Sequence, residues 1–205
     1  MKKILIIGAG GHGRVTADIA QSMKQWTEIA FLDDDESIKC TMGFDIIGRA
    51  SEALSLLGDY EIFVAIGNNN VRARMYNQLK KAGAIIPILI HPSTTIGLQV
   101  TIKQGTVIMP GAVINCGSTI GEGCIINTAA TIDHDCNVGD YVHISPGVHI
   151  AGTVNIGQKT WIGIGAIVSN NLCITDSSTI GAGSVVINDI KENGTCVGVP
   201  AKRIK

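Results

Sequence analysis

Between Ile96 and Val186 an Ile or Val returns at every sixth position without a gap. An α-helix cannot keep such a set on one face, because six helical steps turn the chain by about 600°. The residue two places before each aliphatic is mostly small or β-branched, as at Val100, Thr106, Ala112, Ser118 and Val142. The residue three places after it is rich in glycine, at Gly105, Gly111, Gly117, Gly123, Gly147, Gly165 and Gly183, with Asp135, Asn171 and Asp189 elsewhere. These residue types accept a left-handed backbone, so each hexad predicts a short strand followed by a tight corner. Unbroken self-similarity at this period predicts a parallel β-helix. Three strands close each coil, so equivalent positions recur every third hexad, and sixteen hexads make a little over five coils.

The pattern before the repeat is different. Lys2 to Ile7 reads as a buried strand, and Gly8-Ala9-Gly10-Gly11-His12-Gly13 follows it directly. Arg14 to about Lys24 has the spacing of an amphipathic helix, and Ile29 to Leu32 is a second strand ending in Asp33-Asp34-Asp35. Ser51 is placed to cap a short helix, Glu52 to Leu57; Glu61 to Ile66 is a third strand ending in Gly67, Val71 to Ala82 a second helix, and Ile85 to Ile90 a fourth strand. The expected division is a half-Rossmann α/β domain, 1–92, followed by an all-β solenoid, 93–205. Glycine loop, helix, strand and terminal acid together are the pattern that takes a phosphate on backbone N–H groups at a helix N-terminus. The same glycines also suit a tight turn that serves packing alone. With only about 90 residues before the repeat, a single nucleotide diphosphate fits better than a dinucleotide, which needs two such halves.

Composition narrows the classes. The chain is 45% apolar with few aromatics, as a core of stacked aliphatics requires, and its formal net charge of −1 offers no basic field for nucleic acid. The apolar run after Lys2 and Lys3 is too short for a secretory leader or a membrane span. Six cysteines show no C-x-x-C spacing, and Cys124 and Cys136 fall at inward positions as core thiols. The expectation is a reduced, cytoplasmic protein.

Three histidines stand in the repeat. His134 falls at an exposed corner beside Asp135, whereas His143 and His149 each precede an aliphatic and point outward from consecutive faces. His143 and His149, on adjacent faces, cannot share a ligand within one chain; His134 and His143, a whole strand apart, meet only across an interface between chains. One coil after His134 stands Gly152, which leaves room beside the imidazole and a backbone N–H for a bound group. Base, room and donor together are what acyl transfer requires. The plain alternative for His134, and the reading given to His149, is a solvent-exposed residue without a role.

The N-terminal GAGGHG, the FLDDD strand end, AIGNN at 65–69, the unbroken hexads, INTAATIDHDC and the final VGVPAKR together resemble the bacterial nucleotide-amino-sugar N-acetyltransferases, over essentially the whole chain. The resemblance implies a left-handed β-helix and a homotrimer with acetyl-CoA between neighbouring prisms, without a metal. It implies His134 as general base, Asp135 as the acid that raises its basicity, and Asn127 and Gly152 as lining of the acetyl-transfer site, with the Gly152 N–H an oxyanion donor. His143, Ile164 and Ala182 match acetyl-CoA contacts; Ala9, Gly10, Gly11, His12, Asp33, Asp34 and Gly67 match the nucleotide-sugar site. The expected reaction is N-acetylation of a nucleotide-linked, UDP-type amino sugar. O-acetylation of a sialic acid or related hydroxyl by the same base is the alternative; a metal hydrolyase and a non-catalytic nucleotide-sugar sensor are further rivals.

Overall fold

The computed structural model describes residues 2–204, which divide into two compact units at Pro92 and Ser93. The first is a mostly parallel sheet flanked by helices, with one antiparallel pair at its edge. Strands β1 (Lys3–Ile7), β2 (Glu28–Leu32), β3 (Cys40–Thr41), β4 (Phe44–Gly48) and β5 (Glu61–Val64) lie in the order β3-β4-β2-β1-β5. β1 pairs in parallel with both β2 and β5 and is buried almost throughout, as its uninterrupted apolar run demands. Helix α1 (Gly11–Met23) starts directly on the glycine loop, and α2 (Asn69–Lys81) is capped by Asn68, whose Oδ1 accepts from the N–H groups of Asn70 and Val71.

Several local expectations need correction. The short helix is a 3₁₀ segment, Ala50–Leu56, and its cap is Glu52 accepting from the Arg49 N–H rather than Ser51. The fourth strand shrinks to Leu89–Ile90, because Pro87 removes a ladder donor in its middle. The hairpin of β3 and β4 was not legible: its turn is Met42-Gly43, both left-handed, and β4 joins the sheet beside β2.

The second unit is a left-handed parallel β-helix. Two-residue strands repeat on three faces, each paired with the strand three hexads further on: Val113 with Thr131, Asn137 with Asn155, His143 with Trp161. The inward aliphatics from Ile108 to Val186 are all buried, and the ladder between coils satisfies the backbone at every strand. The predicted corners are left-handed at all the glycines named above and at Asp135 and Asn171, but Asp189 is not among them. Instead, its Oδ1 accepts from the Cys173 N–H at 2.9 Å. Gln99, Ala129, Tyr141, Thr153, Lys159 and Ser177 adopt the same left-handed corner conformation without being glycine or Asn/Asp. At Ala129, Tyr141, Thr153, Lys159 and Ser177 the corner N–H donates to a carbonyl of the preceding coil, and this bond overrides residue preference. All six cysteines are free, with Cys124, Cys136 and Cys196 buried. No helix among the described residues is long and apolar enough to cross a membrane.

Because each coil rests on the next, a hole in the middle should cost more than one at an end. Ile144→Ala, at a fully buried site, should lower unfolding free energy by about 2–5 kcal/mol, and Ile96→Ala, already 38% exposed, by distinctly less. Chemical denaturation of the two variants against the parent checks the order.

Candidate active site

The β-helix sorts its candidate residues onto two of its three edges. On one edge, just past the strand Thr131–Ile132, His134 Nδ1 lies 2.9 Å from Asp135 Oδ2. A carboxylate only accepts, so Nδ1 carries the hydrogen and the neutral ring presents Nε2 as its free acceptor. The bond to Asp135 raises the His134 pKa above its ordinary value; loss of hydration opposes this, and the charges of Asp133 and then Asp135 add to the rise. The ring packs against Gly152 so closely that a Cβ there would lie 2.6 Å from Nε2. Glycine is thus required for the approach itself, and the ring stands over the residue rather than beside an open corner. The Gly152 N–H donates to no acceptor among the described residues.

The second edge holds the other set. His143, Ile164 and Ala182 lie on or just beyond the face that carries Ile125, His143, Trp161 and Thr179 in register. Ile164 and Ala182 occupy equivalent corners of successive coils, Ile164 exposed and Ala182 on the same open edge. The His143 and Trp161 rings stack at 5.9 Å and 15°, and Trp161 Nε1 donates to Ser145 Oγ at 2.9 Å. Asn127 belongs to this edge too: its Nδ2 is 3.4 Å from His143 Nε2. Within one chain, therefore, Asn127 joins His143 and not His134 and Gly152. His149 sits in the same strand column as Thr131, one coil further on, and is hydrogen bonded to Thr131 Oγ1 at 2.9 Å, on the face that leads to the His134 corner. The three histidines do not converge, and no cluster of three metal-ligating side chains occurs among the described residues.

In the first unit the glycine loop is shaped by backbone contact. A Cβ on Gly13 would lie 1.8 Å from the Gly8 carbonyl oxygen, whereas one on Gly10 or Gly11 would meet nothing within 4 Å. The loop is closed beneath and open above, at a helix start with no side-chain cap. Asp33 does more than face a ligand: Oδ2 accepts from the Ala9 N–H at 2.6 Å and Oδ1 from the Asp35 N–H, so it ties the loop to the end of β2. Asp34 Oδ1 accepts from the Ala50 N–H. The His12 ring turns inward, with Nε2 buried and without a partner among the described residues. Burial, and then the Arg72 charge, push its pKa down to about 4, so it is neutral at ordinary pH and brings no charge to the glycine loop. Arg72, buried, donates to the carbonyls of Ile66 and Gly67 and to Asn69 Oδ1, which fixes the Gly67 turn.

Residues 3–79 match the PglD N-terminal domain family. The acetyltransferase domain of PglB from Neisseria gonorrhoeae is 40% identical, with a TM-score of 0.97 and full coverage of both chains, and it has also been solved with acetyl coenzyme A. A variant of perosamine N-acetyltransferase from Caulobacter crescentus, solved with CoA and GDP-perosamine, is 32% identical with a TM-score of 0.93, covering 98% of this chain and 96% of that one. The chain belongs to the nucleotide-amino-sugar N-acetyltransferases. UDP-N-acetylbacillosamine N-acetyltransferase of Bacillus subtilis is 36% identical over 113 residues, 53% of this chain, and the match spans about half (52%) of that curated relative's length.

For an acetyltransferase of this family, three features were not singled out from sequence. Trp161 as the platform for His143 was within reach, since the two are one coil apart. Asn115 and Asp133 flank the His134 corner, Asn115 Nδ2 donating to Asp133 Oδ1 at 2.9 Å; again the spacing is one coil. The third is a cavity of about 610 Å³ lined by Gly8, Asp33, Asp34, Arg74, Met75 and Gln78. The α2 side chains in that lining carry no sequence signal, because they depend on how the helix is rotated against the sheet.

Asp135→Asn removes the anionic acceptor that favours the charged ring. The titration midpoint of His134 should fall relative to the parent, read by NMR of the imidazole resonances. A midpoint that does not move would mean that the bond is not kept in solution.

Proposed function

We propose that this acetyltransferase moves the acetyl group of acetyl-CoA onto the amino group of a nucleotide-linked amino sugar, with His134 as general base. The single observation that carries this reading is the His134–Asp135 pair packed on Gly152. Asp135 holds the proton on Nδ1, so Nε2 is free to take one from the amine as its nitrogen attacks the thioester carbonyl. The carbonyl π-pair moves to oxygen, and the Gly152 N–H is the donor for that oxyanion. When the tetrahedral intermediate collapses, the C–S bond breaks and the imidazolium returns its proton to the departing sulfur, giving the amide and free CoA. Alignment of two reactive partners supplies much of the acceleration.

The open glycine loop, from Ala9 to His12, takes the diphosphate on backbone N–H groups. Asp33 and Asp34 set the acidic end of the adjoining cavity, where ribose or base donors bind. His143, Ile164 and Ala182 hold acetyl-CoA, with Trp161 offering a half-exposed aromatic edge next to them. The PglB domain solved with acetyl coenzyme A and the perosamine enzyme solved with CoA and GDP-perosamine support both ligand assignments. The base and the CoA contacts lie on different edges of one prism, so a site that uses both needs a second copy. A homotrimer with CoA between neighbouring prisms meets that need. Six free thiols favour a reducing compartment, the cytoplasm.

The test is CoA release from acetyl-CoA with a panel of UDP-, GDP- and dTDP-amino sugars, alongside hydroxyl acceptors of the sialic acid type. Amino acceptors alone should support release. His134→Ala should lower kcat by roughly 10²–10⁴-fold, and Gly152→Ala, which displaces the ring, should do nearly as much without unfolding the protein. Equal release from His134→Ala and parent, or release with hydroxyl acceptors only, overturns the reading. Light scattering should give three times the mass of one chain.

A further inference from the structure

On the face that carries Thr131, His149 and Ile167 in register lies a groove of about 280 Å³. Asn115, Thr131, Asp133, His149, Ala151 and Ile167 line it. Asp133 and Ala151 immediately precede His134 and Gly152, so the groove begins one residue from the corner described above. Two vertical hydrogen bonds set its polar side chains. Asn115 Nδ2 donates to Asp133 Oδ1 at 2.9 Å, and Thr131 Oγ1 lies 2.9 Å from His149 Nδ1, each pair one coil apart. Three positions are left without a partner among the described residues: Asn115 Oδ1, Asp133 Oδ2 and His149 Nε2.

The character of the groove selects its occupant. The bond from Asn115, and then that from the His134 N–H, hold the Asp133 carboxyl below the usual carboxylate range, so Oδ2 only accepts. Beside these polar positions stands the exposed side chain of Ile167. Oriented hydrogen-bonding groups next to an aliphatic surface suit a pyranose ring, which has hydroxyl groups around its rim and C–H bonds on its faces. A phosphate fits badly, because the lining has no Lys or Arg and bears a carboxylate. A whole nucleotide fits badly too, because the volume lies just under the ~300–1,000 Å³ of sites for drug-sized ligands. One ring fits.

Building on the acetyl-transfer reading above, we propose that this groove is the subsite for the sugar ring of the acceptor, with His149 as one of its binding residues. Asp133 Oδ2 accepts from the hydroxyl on the carbon next to the amine, since Asp133 adjoins the base in the chain. His149 Nε2 and Asn115 Oδ1 take hydroxyl groups further around the ring, and Ile167 meets its C–H face. Seated in this way, the sugar presents its amine at His134. An acceptor without the neighbouring hydroxyl leaves a carboxylate oxygen unpaired and is bound less well. His149 then selects the sugar and takes no part in proton transfer.

His149→Ala removes one contact and leaves Asn115, Asp133 and the His134–Asp135 pair in place. In CoA-release assays it should raise KM for the amino-sugar acceptor roughly 10-fold, the scale of one hydrogen bond lost at a partly exposed site. KM for acetyl-CoA and the acid limb of the kcat/KM pH profile, which belongs to the base, should stay where they are. His149→Gln keeps a donor and an acceptor and should recover most of the loss. If His149→Ala changes both KM values together, or neither, the proposal is overturned. A second measurement needs no turnover: calorimetry compares each UDP-, GDP- and dTDP-amino sugar with its free nucleoside diphosphate. The affinity gained from the sugar should shrink in His149→Ala, while the free nucleotide binds both proteins equally. An equal gain in the two proteins overturns the proposal. If the parent releases no CoA with any acceptor, the acetyl-transfer reading fails instead, and the calorimetry still decides what the groove holds.

Discussion

Strands two residues long cannot persist by themselves, and in the second unit nearly every strand is of that length. What holds them is the ladder to the coil before and the coil after, renewed at every third hexad. This one constraint fixes the chemistry as well as the fold. A residue's neighbours are those one coil away, so a site is written down the stack and not along the chain. His134 stands on Gly152, Asn115 on Asp133, His143 on Trp161; each pair is a vertical contact that the ladder makes obligatory. The same ladder forces left-handed corners on Thr153 and Tyr141, residues that would avoid them in a free turn. Local preference yields wherever two neighbouring coils agree on the backbone.

Sequence periodicity exposes such a solenoid because its rule is arithmetic. The inward aliphatics, the corner glycines and the approach of Gly152 to His134 all follow from counting, and the structure has them there. Counting also puts His143 and Trp161 one coil apart, but nothing in the residue types marks the contact of their rings. Where the rule stops, legibility stops as well. The breakdown at Asp189 comes as the repeat ends, and its side chain turns to the Cys173 N–H instead. In the first unit, the glycine loop and its terminal acid are legible as a motif, but the use of Asp33 is not. A carboxylate facing a ligand and one tied to Ala9 look alike in sequence, and only the distance between β1 and β2 decides between them. The inward turn of His12 is likewise a matter of packing, since its surroundings include the guanidinium of Arg72, which α2 brings in from far along the chain.

The two histidines of the α/β unit and of the corner show opposite ways of setting a proton affinity. Desolvation governs His12 and drives it neutral, and the nearby guanidinium of Arg72 adds to the fall. At His134 the hydrogen bond to Asp135 outweighs the loss of hydration, the adjacent charges add to it, and the ring is more basic than usual. A base for an exposed corner has to be made in the second way, because water cannot be excluded from it by the coil alone. Carboxylates placed by the backbone achieve this with no buried charge, at the cost of a weaker, salt-dependent effect. Such a corner gains strength if a neighbouring chain or a bound cofactor covers it, since the same charges then act through a lower dielectric.

A triangular prism places its edges about a third of a turn apart, and this limits what one copy can do. On the reading proposed above, the edge with His134 is the source of a proton acceptor and an oxyanion donor, and the edge with His143, Trp161, Ile164 and Ala182 offers an aromatic and apolar surface for a long cofactor. Neither set is a complete site. Bringing the base edge of one copy against the cofactor edge of another joins them, and repeating the operation closes a ring of three when each contact is head-to-tail. Asn127 is informative here. Within its own chain it accompanies His143 and is remote in register from Gly152, yet an acetyl-transfer site needs polar lining around the thioester. On the proposed reading, in which the cofactor lies along the His143 edge, the Asn127 amide belongs to the surroundings of the thioester and not to those of the base.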